Sequence, residues 1–178
     1  MERSFEDSTE CDIWRMDLLI LVSVGTAEYS FDRLFRMIDE VCDMGIIDGN
    51  DIIAQKGSTK YNPRNFKCFN LIGRDEFQKY INSADLIICH AGTGSVILPL
   101  KLGKKIIVVP RRAKYGEHVD DHQLELRDTF TRAGYTLSAE NKDELVKAIK
   151  DSHSFVPNKF KSNNARINNL IIDFITKL

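Results

Sequence analysis

No apolar run in these 178 residues approaches the roughly 18 needed to span a bilayer, so a membrane-crossing helix is excluded. There is no surplus of charge either. Lys and Arg number 25 against 26 Asp and Glu, a net charge of −1, which removes the broad electrostatic case for nucleic acid. The opening Met-Glu-Arg-Ser-Phe-Glu-Asp lacks the apolar core of a signal peptide, and export is not expected. The four cysteines, Cys11, Cys42, Cys68 and Cys89, show no metal-ligand or redox spacing and read as reduced structural thiols of a cytosolic protein. A nucleophile elbow is missing too: Gly94-Ser95-Val96 is not Gly-x-Ser-x-Gly. There is no internal repeat and no low-complexity segment.

What is present is an ordinary globular composition, 43% hydrophobic and 29% charged, at a length that suits one domain. Residues 1–15 are polar and without period, a flexible lead. From 16 to 152 strand-like and helix-like segments alternate. Strands are expected at 17–24, 51–55, 67–72, 86–89, 105–109 and 135–137. Helices are expected at 31–42, 75–84, 95–103, 119–133 and 142–150. Residues 153–178 are expected to form a polar linker with Pro157 and a last amphipathic helix from Asn163. That helix puts Ile167, Leu170, Ile171, Phe174, Ile175 and Leu178 on one face, for packing or for a partner. Strands alternating with helices imply an α/β fold, a single Rossmann-like doubly wound parallel sheet.

Two loops carry the chemistry. The first is Asp85-Leu-Ile-Ile-Cys-His-Ala-Gly-Thr-Gly-Ser95. An apolar strand stops at His90, Gly92 and Gly94 flank Thr93, and Ser95 opens a helix and can cap it. Strand, glycine turn and helix N-terminus together present free N–H groups and a positive dipole end to an anion such as a phosphate. Gly25-Thr26 ends the first strand in the same way. The second loop, Glu117-His-Val-Asp-Asp-His-Gln123, follows the next strand, and in a parallel sheet both loops share the carboxyl edge. The acidic groups there also suit an ordinary helix start. Glu117 and Gln123 pair donors and acceptors as sugar or ribose hydroxyls require. Arg111, Arg112 and Lys114 are cations available to phosphates or an anionic membrane, or plain surface charge. His118 and His122 stand at i, i+4, with no third metal ligand implied by the spacing. His90 borders the anion site and is a weak candidate for a general base.

His90-Ala-Gly-Thr-Gly-Ser95, Leu102-Gly-Lys-Lys-Ile-Ile-Val-Val-Pro-Arg-Arg112, Lys114-Tyr-Gly-Glu-His-Val-Asp-Asp-His-Gln-Leu-Glu125 and Val22-Ser-Val-Gly-Thr26 together resemble the donor-binding half of GT-B glycosyltransferases of family 28, over about residues 17–150. Within that family the chain is similar to soluble subunits of two-part bacterial polysaccharide (capsule or exopolysaccharide) glycosyltransferases. It is also similar to the soluble subunit of the eukaryotic enzyme that adds the second N-acetylglucosamine to a dolichol-linked sugar.

The resemblance implies the C-terminal half of a GT-B fold and a UDP-sugar donor of galactose, glucose or N-acetylglucosamine. No bound metal or other cofactor is implied. Gly92, Thr93, Gly94 and Ser95 would hold the diphosphate, with Gly25, Thr26 and His90 lining the cleft. Glu117 and Gln123, with Asp121 or His122 assisting, would meet donor hydroxyls. Some relatives place a ribose-binding acid on the helix after the glycine turn, whereas this chain has Val96-Ile-Leu-Pro-Leu100. A full GT-B enzyme places an acceptor-binding half before the donor half, and 178 residues are not expected to hold both. The implied partner is therefore a membrane-associated, acceptor-binding subunit that supplies much of the catalytic base, with a polyprenyl-diphosphate-linked sugar as acceptor. The protein would sit at the cytoplasmic membrane face through that partner. The alternative reading is a non-catalytic nucleotide-sugar-binding module or scaffold. A dinucleotide enzyme fits less well, because the third spaced glycine is absent and the turn comes late in the chain.

Overall fold

The computed structural model describes residues 18–160. The lead and the amphipathic segment from Asn163 therefore lie outside the described residues, as does Cys11. Six strands form one all-parallel sheet: β1 (Ile20–Ser23), β2 (Ile52–Gln55), β3 (Cys68–Phe69), β4 (Leu86–His90), β5 (Lys105–Val109) and β6 (Leu137–Ser138). Their order is β3-β2-β1-β4-β5-β6. Among the described residues five α-helices cover it: α1 (Asp32–Asp43), α2 (Arg74–Ser83), α3 (Thr93–Lys101), α4 (His122–Arg132) and α5 (Lys142–Ser152). This is the expected doubly wound architecture.

The central strands read Ile-Leu-Val-Ser, Leu-Ile-Ile-Cys-His and Lys-Ile-Ile-Val-Val because both faces are covered. Alternate side chains go to opposite cores. Ile20, Val22, Ile88 and Ile107 pack with Leu34, Phe35, Ile38, Leu145 and Ile149, which places α1 and α5 on one face. Leu21, Ile87, Cys89, Ile106 and Val108 pack with Ile81, Val96, Leu100 and Phe130, which places α2, α3 and α4 on the other. β1 is bonded to β2 on one side and β4 on the other. Chain order reverses between β1 and β4, and the crevice outside their carboxyl ends is where such sheets bind ligands.

Several boundaries differ from the sequence expectation for local reasons. The strand expected at 67–72 is only Cys68–Phe69, because at Ile72 the N–H donates to the Gln55 side chain (3.0 Å) instead of to a neighbouring strand. The fourth helix begins at His122, not Val119, because Asp121 Oδ1 accepts from the Ala113 N–H (2.9 Å) and holds the preceding residues in the loop. The last strand moves to Leu137–Ser138 because the Tyr135 N–H closes α4 on the Phe130 carbonyl, past Gly134 in the left-handed region (φ 67°). Cys42, Cys68 and Cys89 are free thiols. Burial pushes Cys42 and Cys89 up to about 12, so neither is a thiolate at neutral pH.

Candidate functional site

At the β1/β4 switch point a cleft of 660 Å³ opens between the ends of the two strands and the start of α3. Ser23, Gly25 and Thr26 line it from β1 and its loop, and His90, Gly94, Ser95, Leu98 and Pro99 from β4 and α3. Leu71, Ile72 and Phe77 form an apolar wall, with Arg74 at its side. The structure thus brings Gly25, Thr26, His90, Gly94 and Ser95 together in one cleft.

The two glycines of the turn do different work. Gly92 is the cap of α3 and has ordinary extended backbone (φ −90°), so freedom of dihedral is not what it supplies. A Cβ there would lie 2.3 Å from His90 Nε2. A Cβ on Gly25, which has φ 72°, would lie 2.8 Å from His90 Cε1. The imidazole is therefore wedged between two glycine backbones. Gly94, by contrast, has nothing within 4 Å of its hypothetical Cβ, so its missing side chain keeps the cleft open. Thr93 is exposed beside it. Ser95 is a first-turn residue, not the cap: its N–H turns back to the Gly92 carbonyl (3.0 Å). No side chain caps α3, so its leading amides have no capping partner, and its first turn lines the cleft through Gly94 and Ser95.

Burial pushes His90 down to about 4, helped by the Arg111 guanidinium and opposed by the Ser23 backbone. The ring is neutral at physiological pH. Its Nδ1 is buried without a partner.

The second loop is built differently from expectation. Glu117 is buried, and its carboxylate takes a two-pronged ion pair from Arg33 (Nε 3.0 Å, Nη2 2.9 Å) and the Arg112 N–H (2.9 Å). It lines a separate 440 Å³ pocket with Arg33, Arg36 and Tyr115, not the cleft. The expected contact of Glu117 with donor hydroxyls is corrected accordingly: its carboxylate fastens the loop to α1. Arg111 is likewise no phosphate ligand. It is 1% exposed, stacks on Phe31 (4.7 Å), and donates to the carbonyls of Val24 (2.9 Å), Tyr29 (2.9 Å) and Glu117 (3.1 Å). Burial lowers its pKa to about 10, which still leaves it charged.

Arg112 pairs with Glu140 (2.6 Å) and stands 3.4 Å from Asp121. Gln123 is buried with Oε1 accepting from the Arg111 N–H (3.0 Å), and it does not line the cleft. His122 is exposed and lies against Asp120. Lys114 stays exposed, its ammonium over the Tyr115 ring (4.8 Å).

Sequence reading missed Arg33, whose partner is 84 residues away, and the apolar wall of Leu71, Ile72 and Phe77. No local signal marks either, though the aliphatic 96–100 stretch, with Leu98 and Pro99 in the cleft, hinted at an apolar site.

The chain matches the model of the glycosyltransferase family 28 C-terminal domain over residues 19–174. It is 35% identical over 148 residues to the UDP-N-acetylglucosamine transferase subunit ALG13 of Candida albicans, covering 83% of this chain and 45% of that protein. The human protein of the same name is 31% identical over 124 residues, covering 65% of this chain and 10% of that one. The chain thus spans less than half the length of these curated relatives. Among solved structures, the NMR solution structure of ALG13 superposes with a TM-score of 0.54 at 22% identity, over 86% of this chain and 94% of that one. The crystal structure of Acinetobacter baumannii MurG gives 0.53 at 19% identity, over 90% and 50%. At these identities the two structures speak for the fold alone.

Proposed function

Because this chain belongs to the glycosyltransferase family 28 C-terminal domain family, we propose that it is the donor-binding subunit of a heteromeric UDP-sugar glycosyltransferase. The observation that carries the reading is the cleft in which the uncapped start of α3, Gly94 without a side chain and the wedged His90 meet. The α3 amides at Thr93 and Gly94 bind the diphosphate, and the helix dipole favours its charge. Thr26 and Ser95 offer hydroxyls. The uridine lies on Leu71, Ile72, Phe77 and Leu98, and Gln123, buried outside the cleft lining, acts on the donor by holding the Arg111 N–H and so the loop beside it.

Transfer breaks the bond between the sugar and the diphosphate, so negative charge grows on the leaving phosphate in the transition state. Fixed N–H groups and the α3 dipole stabilise that charge more than the ground state, which is the condition for acceleration. His90, neutral and boxed in by glycines, shapes the wall. The base that activates the acceptor hydroxyl comes from a membrane-associated partner subunit holding a polyprenyl-diphosphate-linked sugar. Of the three hexoses named above, the relatives' names favour N-acetylglucosamine. A role in polysaccharide assembly rests on the sequence resemblance.

Calorimetric titration with UDP, UDP-N-acetylglucosamine, UDP-galactose, UDP-glucose and NADH, with and without magnesium, tests the proposal. Binding of the UDP ligands supports it and ranks the sugars. NADH binding in preference to UDP refutes it, as does an absence of UDP binding both alone and with the co-expressed partner.

A further inference from the structure

On the loop before α4, His118, Asp120 and His122 converge. One ligand atom from each lies within 4.8 Å of the others. His118 Nδ1 is 3.1 Å from Asp120 Oδ1, and His122 Nδ1 approaches the same oxygen. Nδ1 of His118 also accepts the Asp120 N–H at 3.3 Å. Two imidazole nitrogens thus face one carboxylate oxygen, and with both Nδ1 atoms unprotonated all three can give a lone pair to one cation.

The cluster is partly organised already. The His118 side chain is 19% exposed and its ring rests 5.9 Å from Tyr29, so one ligand is held before an ion arrives. The His122 N–H donates to Asp120 Oδ1 at 3.2 Å, which orients the carboxylate. Asp120 and His122 open to solvent, leaving coordination positions for water or a ligand oxygen.

We propose that His118, Asp120 and His122 bind a divalent transition-metal ion of the Zn²⁺ or Co²⁺ kind. Two imidazoles and one carboxylate suit such ions, whereas Mg²⁺ and Ca²⁺ prefer all-oxygen sets. The ion would pin residues 118–122 and fix the start of α4, from which Gln123 holds the Arg111 N–H. The site does not depend on the donor-binding proposal, because none of its ligands lines the cleft.

The test is titration of the full chain with Co²⁺, followed by visible absorption, and with Zn²⁺, followed by calorimetry. His118→Ala, Asp120→Ala, and the controls His153→Ala and Cys68→Ser are compared with the unmodified chain. Saturable binding of one ion is expected, weakened by about tenfold or more in the first two variants, the scale on which even outer-shell partners act. It should be unchanged in the controls, with melting temperatures recorded for all. Absence of saturable binding overturns the proposal. So does an affinity in His118→Ala and Asp120→Ala equal to that of the unmodified chain, or a thiolate-to-cobalt charge-transfer band.

Discussion

Alanine at the two turn glycines should move stability in opposite directions while damaging ligand binding in both. Gly94 sits in the first turn of α3, and a Cβ there meets nothing within 4 Å. Relief of glycine's entropic cost makes Gly94→Ala more stable by about 0.5 kcal/mol, a rise in Tm of about 1–2 °C for a domain of this size. The same methyl adds bulk at the cleft lining where the proposed diphosphate would meet the helix amides. Displacing one charge-assisted hydrogen bond there costs about 1.5–3 kcal/mol, or about ten- to a hundredfold in Kd for UDP. At Gly92 the new Cβ would stand 2.3 Å from His90 Nε2, and the ring has the Gly25 backbone on its other side. It must leave its rotamer, and overpacking of this kind costs about 1–3 kcal/mol. Gly92→Ala is therefore destabilised by several degrees as well as weakened in binding. Differential scanning fluorimetry and calorimetry with UDP read both quantities. The reasoning fails if Gly94→Ala binds UDP like the unmodified chain, or if Gly92→Ala melts no lower than it.

Arg33→Met strips the buried Glu117 carboxylate of its partner and should cost about 3 kcal/mol, seen as a urea midpoint lower by about 1 M or more. The double variant Arg33→Met/Glu117→Gln should recover part of that loss. His90 gives a pH dependence. Its folded value of about 4 lies below its ordinary 6.5, so between those limits the unfolded chain binds more protons. The stability that depends on a neutral ring is whole above about 6.5 and is lost as pH falls toward 4, by about 3 kcal/mol in all. His90→Gln should flatten that slope in denaturation curves taken from pH 7 to 4.5. The buried Asp39 adds a loss of the same sign at the acid end of this range: against the desolvation that raises it, the backbone N–H groups of Arg64 and Asn65 and the Tyr61 hydroxyl hold its carboxyl below the usual range, so the comparison with His90→Gln is what isolates the histidine. Gln123→Ala should weaken discrimination between donor sugars more than affinity for UDP itself. It also lowers Tm by orphaning the Arg111 N–H, and equal loss for UDP and UDP-sugars would contradict the role.

Much of the fold was legible because its signals are local. Continuous apolar runs such as Leu86–Cys89 and Ile106–Val109 mark strands covered on both faces. The three- and four-residue steps from Phe31 to Cys42 mark α1, and the glycine turn after His90 marks where the sheet meets the start of a helix. Alternation of strand and helix then makes the sheet parallel, and its carboxyl edge the candidate site.

What the second loop does was not legible. Glu117 and Gln123 have the chemistry of sugar-binding groups, but side-chain type does not say which partner arrives first. In the folded chain α1 brings Arg33 to the Glu117 carboxylate, and the turn after β5 lays the Arg111 N–H against the Gln123 oxygen. Arg111 itself looks like a surface cation in a charged run, yet it is buried, with carbonyls of the β1–α1 loop as its acceptors. The i, i+4 spacing of His118 and His122 suggested a helix face, whereas the loop conformation turns both toward Asp120. Periodicity and turn chemistry act over a few residues and are written in the sequence. Ion pairs and buried donors join loops some 80 residues apart, and only the close approach of those loops in the packed sheet decides which polar groups remain for a ligand.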